Sequence, residues 1–278
     1  MPAPKFHTKE GKQIDKFFKQ ISDQVEDDDV ILPVFGPSGC GRSLFIDKLL
    51  PPDATRRPNV QGGLQSVTKS CELFVVESGP FRRNSDYRKL PGRLVMIDTP
   101  GFHNSHASDE KVAQDIGSCL QSLYSQRKVW VAGAIVMVSI ENDRIRPARS
   151  DSLPDELNSQ SAPRPVAIVT SHWDFLADLT EGRRKEAILR KSLWVNAPEH
   201  ALMFRFDKTS DSAWKAVDGI VHEFASLSGV VGDGTARHRK HRSTLRKERR
   251  RYAGIIGRLV YFVVGLVHGQ RMGGRRGP

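Results

Sequence analysis

Val30-Ile31-Leu32-Pro33-Val34-Phe35-Gly36-Pro37-Ser38-Gly39-Cys40-Gly41-Arg42-Ser43 is the stretch on which the fold turns. Its first six residues form a continuous apolar run, the pattern of a parallel strand buried on both faces. The next eight have the spacing Gly-x-x-x-x-Gly-Lys-[Ser/Thr] of a phosphate-binding loop, with arginine in place of lysine. In such a loop the glycines let backbone N–H groups turn inward around a phosphate. The helix that follows adds a partial positive charge. Ser43 would offer its hydroxyl to Mg²⁺, and Arg42 would reach the β- and γ-phosphates. Glycine-rich strand-to-helix turns also arise for packing reasons, so the loop alone leaves both readings open.

Working outward, strands and helices alternate. Ser43–Leu50 reads as a short helix stopped by Pro51-Pro52. Glu72–Glu77 and Arg93–Asp98 read as strands, with Gly79-Pro80 and Pro91-Gly92 marking the loop between them. Ser108 is placed to cap a helix that has Asp109 and Glu110 in its first turn and Val112, Ile116, Leu120 and Leu123 as its inner stripe. Val129–Ile140 and Pro165–Thr170 read as two further buried strands, with a short helix around Leu153–Leu157 between them. Thr180–Trp194 reads as a helix, Ala201–Phe206 as a final strand, and Asp211–Leu227 as a helix with Trp214, Val217, Val221 and Phe224 inward. Upstream of the loop, Ile14, Phe17, Phe18, Ile21 and Val25 mark an amphipathic helix packed on the domain. Strands alternating with helices predict a doubly wound, mostly parallel α/β sheet.

Three more stretches bear on the loop. In Val95-Met96-Ile97-Asp98-Thr99-Pro100-Gly101, an aspartate ends a buried strand and a glycine follows three residues later. Such a carboxylate holds Mg²⁺ through water, and the N–H of Gly101 would meet the γ-phosphate. In Gln65-Ser66-Val67-Thr68-Lys69, Thr68 lies between these two motifs, where a loop threonine can close over Mg²⁺. In Ala167-Ile168-Val169-Thr170-Ser171-His172-Trp173-Asp174, Asp174 stands where guanine-specific proteins carry the last residue of Asn-Lys-x-Asp. A carboxylate there accepts from guanine N–H groups that adenine lacks, and a buried mismatch would be costly. Trp173 reads equally as a core anchor.

Together these residues resemble the septin-like P-loop GTPases that include the immunity-associated nucleotide-binding proteins and the chloroplast import receptors. The likeness is carried by Ser66-Val67-Thr68-Lys69-Ser70-Cys71, Asp98-Thr99-Pro100-Gly101-Phe102 and Ile140-Glu141-Asn142-Asp143-Arg144-Ile145. Thr170-Ser171-His172-Trp173-Asp174 and the stretch from Phe206 to Trp214 look like an uncharacterised fungal branch of that group. The resemblance spans residues 28–227. It implies a G-domain fold in which Gly36, Pro37, Ser38, Gly39, Cys40, Gly41, Arg42 and Ser43 hold the phosphates of GTP or GDP. Ser43, Thr68 and Asp98 would approach Mg²⁺, Gly101 the γ-phosphate, and Asp174 the base. Two departures stand out. Arg42 is larger than lysine and has a planar fork, so it binds phosphate in a shifted pose or crowds the γ-phosphate. Phe102 occupies the position at which a glutamine orients water in many small GTPases. The candidates left for catalysis are Thr68, Gly101 and His103, with His106 nearby. The resemblance therefore implies slow or partner-dependent hydrolysis, with a homodimer formed through the switch face as one route. A degenerate scaffold that no longer hydrolyses nucleotide is the alternative.

Charge divides the chain sharply. Residues 236–278 hold 13 Lys/Arg and a single acid, Glu248, a local charge of +12, while residues 1–235 hold 30 Lys/Arg and 31 Asp/Glu, a charge of −1. Any claim about anionic partners drawn from net charge therefore belongs to the tail. Tyr252–Val267 is apolar apart from Arg258; as a helix it would span ~24 Å, short of the ~30 Å hydrocarbon core. A polybasic run joined to an apolar one favours an anionic membrane surface over nucleic acid or docking on the domain itself. Residues 229–235 read as a glycine-rich linker, which divides the chain into segments 1–27, 28–228, 229–235 and 236–278. Cys40, Cys71 and Cys119 show no paired or metal-type spacing, and the first residues lack a signal-like apolar stretch. Both point to a cytoplasmic protein, which the tail would hold at a membrane.

Overall fold

Every residue of β1 (Val30–Phe35) is buried, and the pleat sends alternate side chains to opposite faces of the sheet. Ile31 and Phe35 enter one apolar layer; Val30, Leu32 and Val34 enter the other. A strand of this kind needs cover on both sides. The computed structural model describes residues 9–60, 70–76, 90–104, 107–141, 165–196 and 201–227. Around β1 the chain order is α1 (Lys9–Gln24), β1, α2 (Arg42–Leu49), β2 (Glu72–Val76), β3 (Leu94–Asp98) and α3 (Asp109–Gln126). It continues with β4 (Trp130–Val131), β5 (Ala134–Ser139), β6 (Val166–Ser171), α4 (Leu179–Asn196), β7 (Ala201–Arg205) and α5 (Ser210–Leu227).

The sheet runs β2-β3-β1-β5-β6-β7, with β4 beside β1. All pairings are parallel except that of the edge strand β2, which runs antiparallel to β3. The chain starts at the centre, fills one side through β3 and β2, then the other through β5, β6 and β7. Phe17 and Ile21 of α1, Val112, Ile116 and Leu120 of α3, and Leu189 of α4 cover one face. Phe45 and Ile46 of α2 and Val217, Val221 and Phe224 of α5 cover the other. This is the doubly wound α/β arrangement that the alternating pattern predicts. Its strand order reverses beside β1, so the crevice at the carboxyl ends of the strands opens where the glycine-rich loop begins.

One strand expectation is corrected. Val129–Ile140 is broken into β4 and β5 at Ala132-Gly133. β4 pairs with the start of β1, at Val30 and Ile31, whereas β5 pairs with its end, at Val34 and Phe35. At the break the chain presses on the next strand: a Cβ on Gly133 would lie 2.2 Å from the Pro165 carbonyl oxygen. Only glycine lets the backbones approach so closely.

At the amino end of the sheet, Asp29 ties three segments together. Its carboxylate accepts from the Glu26 N–H at 2.8 Å and from the Arg93 backbone N–H at 3.2 Å, and the Arg93 guanidinium donates to both of its oxygens. Arg93 also donates to the Gln24 carbonyl at the end of α1. The amphipathic helix is thereby fastened to β1 and β3 as well as packed on them.

Several expectations fall outside the described residues. They are Thr68 and the rest of Gln65–Lys69, Gly79-Pro80, His106, Asn142–Ile145, the helix around Leu153–Leu157, the linker 229–235 and the tail 236–278.

Candidate functional site

The glycine-rich loop leaves β1 with three glycines at positive φ: Gly36 at 153°, Gly39 at 80° and Gly41 at 92°. The last two lie in the left-handed region, where a side chain is strained. Gly36 faces a second constraint, since a Cβ there would lie 2.5 Å from the Met137 carbonyl oxygen. The turn delivers the chain into α2, whose first residue is Arg42.

Arg42 is the centre of the site, only 6% exposed. Its Nη1 donates to the carbonyl of Gly36, so the side chain folds back across the loop that carries it. Its Nε lies 4.0 Å from Asp98 Oδ1 and, among the described residues, has no hydrogen-bond partner. Asp98, 2% exposed, ends β3 opposite Val34 and accepts from the Ser43 hydroxyl at 2.6 Å. Three of the sequence-predicted residues, buried Arg42 and Asp98 and half-buried Ser43, therefore meet in one cluster.

The segment after β3 docks onto the loop. Thr99 Oγ1 donates to the Val34 carbonyl at 2.8 Å. Ser38 N–H donates to the Phe102 carbonyl at 2.7 Å and Phe102 N–H to the Gly36 carbonyl at 3.2 Å, a parallel bridge between Pro37 and Phe102. Gly101 is wedged between them: a Cβ there would lie 2.6 Å from Arg42 Nη2, 2.7 Å from Ser38 Cα and 2.8 Å from Ser38 N. Phe102 is fully buried in the core layer below. His103 adopts φ 56°, its N–H donates to Asp109 Oδ1 at 2.6 Å, and its Nε2 lies 3.2 Å from Asp109 Oδ2. Asn104 Nδ2 donates to the Gly101 carbonyl at 2.8 Å, and Asn104 Oδ1 accepts from the Ala107 N–H.

Asp174 lies on a second loop, after β6, in a 3-10 turn over Trp173–Phe175. Lys208 Nζ pairs with its Oδ2 at 2.5 Å and holds this exposed carboxyl below the usual carboxylate range. The same ammonium lies 4.6 Å from the centre of the Phe175 ring, which is 60% exposed. His172, at φ 61°, contacts Ser139 Oγ through Nδ1 at 2.9 Å. Burial, with Lys208 nearby, holds its imidazole below the usual pKa. Trp173 packs against the core, donates Nε1–H to Thr170 Oγ1 at 3.0 Å, and carries the Arg205 guanidinium over its face at 4.0 Å.

Two residues have partners that their sequence setting does not give. Ser171 ends β6, and its buried hydroxyl donates to the Cys40 carbonyl at 2.8 Å, tying the strand that leads to the Asp174 loop to the glycine-rich loop. Lys208 becomes the partner of Asp174 only because β6 and β7 pair in register. A hydroxyl at a strand end opposite a polar loop is the faint signal for the first. The second has no local signal. Cys40 is buried inside the loop, and burial raises its thiol pKa, which makes it a packing group.

Oxygen donors at Ser43 and Asp98 suit a hard divalent cation such as Mg²⁺. Among the described residues, no group of three or more His, Cys, Asp or Glu is arranged to hold a metal, and no helix is long and apolar enough to cross a membrane.

Neither a protein-family model nor a curated protein matches the chain. Solved structures do show similarity. Toc33 from Arabidopsis thaliana in complex with GDP and Mg²⁺ is 12% identical with a TM-score of 0.44, over 81% of this chain and 93% of that one. The Arl6 small GTPase from Trypanosoma brucei with a bound nucleotide analogue is 9% identical at a TM-score of 0.44, over 72% and 99%. Era from Aquifex aeolicus bound to GDP.AlF4- is 13% identical at a TM-score of 0.42, over 71% of this chain. The chain spans about half (56%) of that Era and 30% of the bacterial selenocysteine-specific elongation factor.

Proposed function

We propose that this chain is a guanine-nucleotide-binding protein that uses Mg²⁺. The observation that carries the proposal is the buried Arg42 guanidinium inside a loop turned by three positive-φ glycines, beside Ser43 and Asp98. A buried cation with an unsatisfied donor costs free energy that an arriving phosphate returns. The amides around the loop and the start of α2 add donors and a partial positive charge at the same place. Gly36–Ser43 would cradle the phosphates. Ser43 and Asp98 would hold Mg²⁺, which screens phosphate charge when bound, and Thr68 would approach it too.

Asp174 would read the base. It lies on the carboxyl-end loops of the same sheet, and its carboxylate is ionised and exposed. Guanine's N–H groups would compete with Lys208 for it. His103 and Gly101 flank the terminal-phosphate side, and no glutamine stands there to orient water. Hydrolysis would accordingly be slow or depend on a partner, including a second copy across the switch face. The tail would tether the protein to anionic membrane from the cytoplasmic side, with 28–228 as the nucleotide domain.

Calorimetric titration of the full chain with GTP, GDP and ATP in Mg²⁺ tests the nucleotide claim. Binding of guanine nucleotides well ahead of ATP is expected, and Asp174→Ala should erase that preference. Absence of binding by all three at millimolar concentration would sink it. Flotation with phosphatidylserine vesicles, with and without residues 236–278, tests the tail; equal flotation of both proteins would reject the tether.

A further inference from the structure

In a phosphate-binding loop, residue 42 reaches the β- and γ-phosphates, and the third phosphate lies between the loop and the glycine that follows the strand-end aspartate. Here that interval is occupied by protein. Gly101 touches the loop backbone at Ser38 and the Nη2 of Arg42 so closely that even a methyl group has no room. Two backbone hydrogen bonds, Ser38 N–H to Phe102 and Phe102 N–H to Gly36, hold the two segments together. Arg42 adds a third link, with one arm of its fork on the Gly36 carbonyl and the other against Gly101. A lysine has a single ammonium and cannot span both.

We infer that this site selects a nucleoside diphosphate over a triphosphate, with Arg42 and the docked Gly101–Phe102 segment standing in the place of the γ-phosphate. The inference rests on the nucleotide reading above and deepens it. A diphosphate leaves the bridge intact, and Arg42 Nε, which has no hydrogen-bond partner among the described residues, remains to donate to it. A triphosphate has to break both Phe102 hydrogen bonds, swing a buried guanidinium aside and lift Phe102 from the core layer. Its extra charge repays the displaced guanidinium through a charge-assisted bond, but not the lost bridge or the exposed ring. Asn104, which clamps the Gly101 carbonyl, reinforces the closed arrangement from the far side.

The test titrates the full chain with GDP and with the non-hydrolysable analogue GMPPNP in Mg²⁺, alongside hydrogen exchange at the Ser38 and Phe102 amides. GDP is expected to bind at least about tenfold tighter than GMPPNP. Both amides should stay protected with GDP and lose protection with GMPPNP. Arg42→Lys should bring the two affinities within about threefold, chiefly by tightening GMPPNP. Equal affinities in the parent protein would overturn the diphosphate preference while leaving the nucleotide reading in place. Failure of both nucleotides to bind would overturn the nucleotide reading, and this one with it. Should Arg42→Lys not fold, the parent's affinity ratio and its amide exchange still decide.

Discussion

Gly101 shows how a single missing side chain governs the site. Its φ is unexceptional, so the demand is steric: three atoms within 2.8 Å of an added Cβ, two of them in the Ser38 backbone. Backbone cannot yield as a side-chain tip can. Gly101→Ala should therefore lower stability by about 1–3 kcal/mol, by the cost of overpacking, as measured by urea denaturation. An unchanged midpoint would mean that the segment is not docked on the loop. His172 offers a pH test. Burial and Lys208 disfavour its protonation, so the unfolded chain takes up the proton first as pH falls. The stability owed to neutral His172 is complete above about pH 6.5 and declines as pH drops from there toward the folded pKa. An NMR titration should place its midpoint below that of a free imidazole; a midpoint at or above it refutes the assignment.

At the scale of elements, the site is built from strand ends, and what matters is how those ends are held. Ser108 caps α3 by accepting from the Lys111 N–H, and Thr209 does the same for Ser212 at the start of α5. Both helices begin near the loops they support. At the opposite end of the sheet, Asp29 satisfies the backbone N–H groups of Glu26 and Arg93 and the Arg93 guanidinium together. Asp29 is 1% exposed. Asp29→Ala should cost roughly 3 kcal/mol, because it removes the buried carboxylate that pairs with the Arg93 guanidinium and leaves the Glu26 and Arg93 backbone N–H groups without their acceptor. Thermal unfolding would measure it, and a loss no larger than that of an exposed Asp27→Ala control would refute the role. The break between β4 and β5 belongs to this scale as well. A run of apolar residues from Val129 to Ile140 reads as one strand, since hydrophobicity alone does not reveal where a backbone must bend around its neighbour.

For the whole molecule, the doubly wound sheet collects three chain segments, far apart in sequence, at the carboxyl ends of its strands. Arg42, Asp98 and Gly101 meet there, Ser171 ties the end of β6 to the loop of Cys40, and Asp174 stands beyond it. A ligand that bridges these segments should stabilise the fold as a unit. GDP with Mg²⁺ at about 100 times its Kd should add about 2.7 kcal/mol and raise Tm by several degrees. A thermal scan without a shift at saturating GDP would contradict a site that spans them.

Much of this was legible in the residue order. Apolar runs bounded by Gly and Pro locate the strands, helical spacing locates the inner stripes of α3 and α5, and Gly36–Ser43 and Asp98–Gly101 mark themselves by local chemistry. These properties are short-range, set by backbone sterics and by periodicity within a dozen residues. What needed the folded molecule is the set of contacts between segments distant in the chain. The antiparallel edge strand β2, the fold-back of Arg42 onto Gly36, the bridge from Pro37 to Phe102 and the pairing of Lys208 with Asp174 all depend on which strand lies beside which. Strand order arises from burying two apolar layers at once, and that energy belongs to the assembled sheet, not to any stretch of it. The arginine in the loop was visible from the start. That it fills the space beside Gly101 follows only from the docking of β3's continuation against the loop.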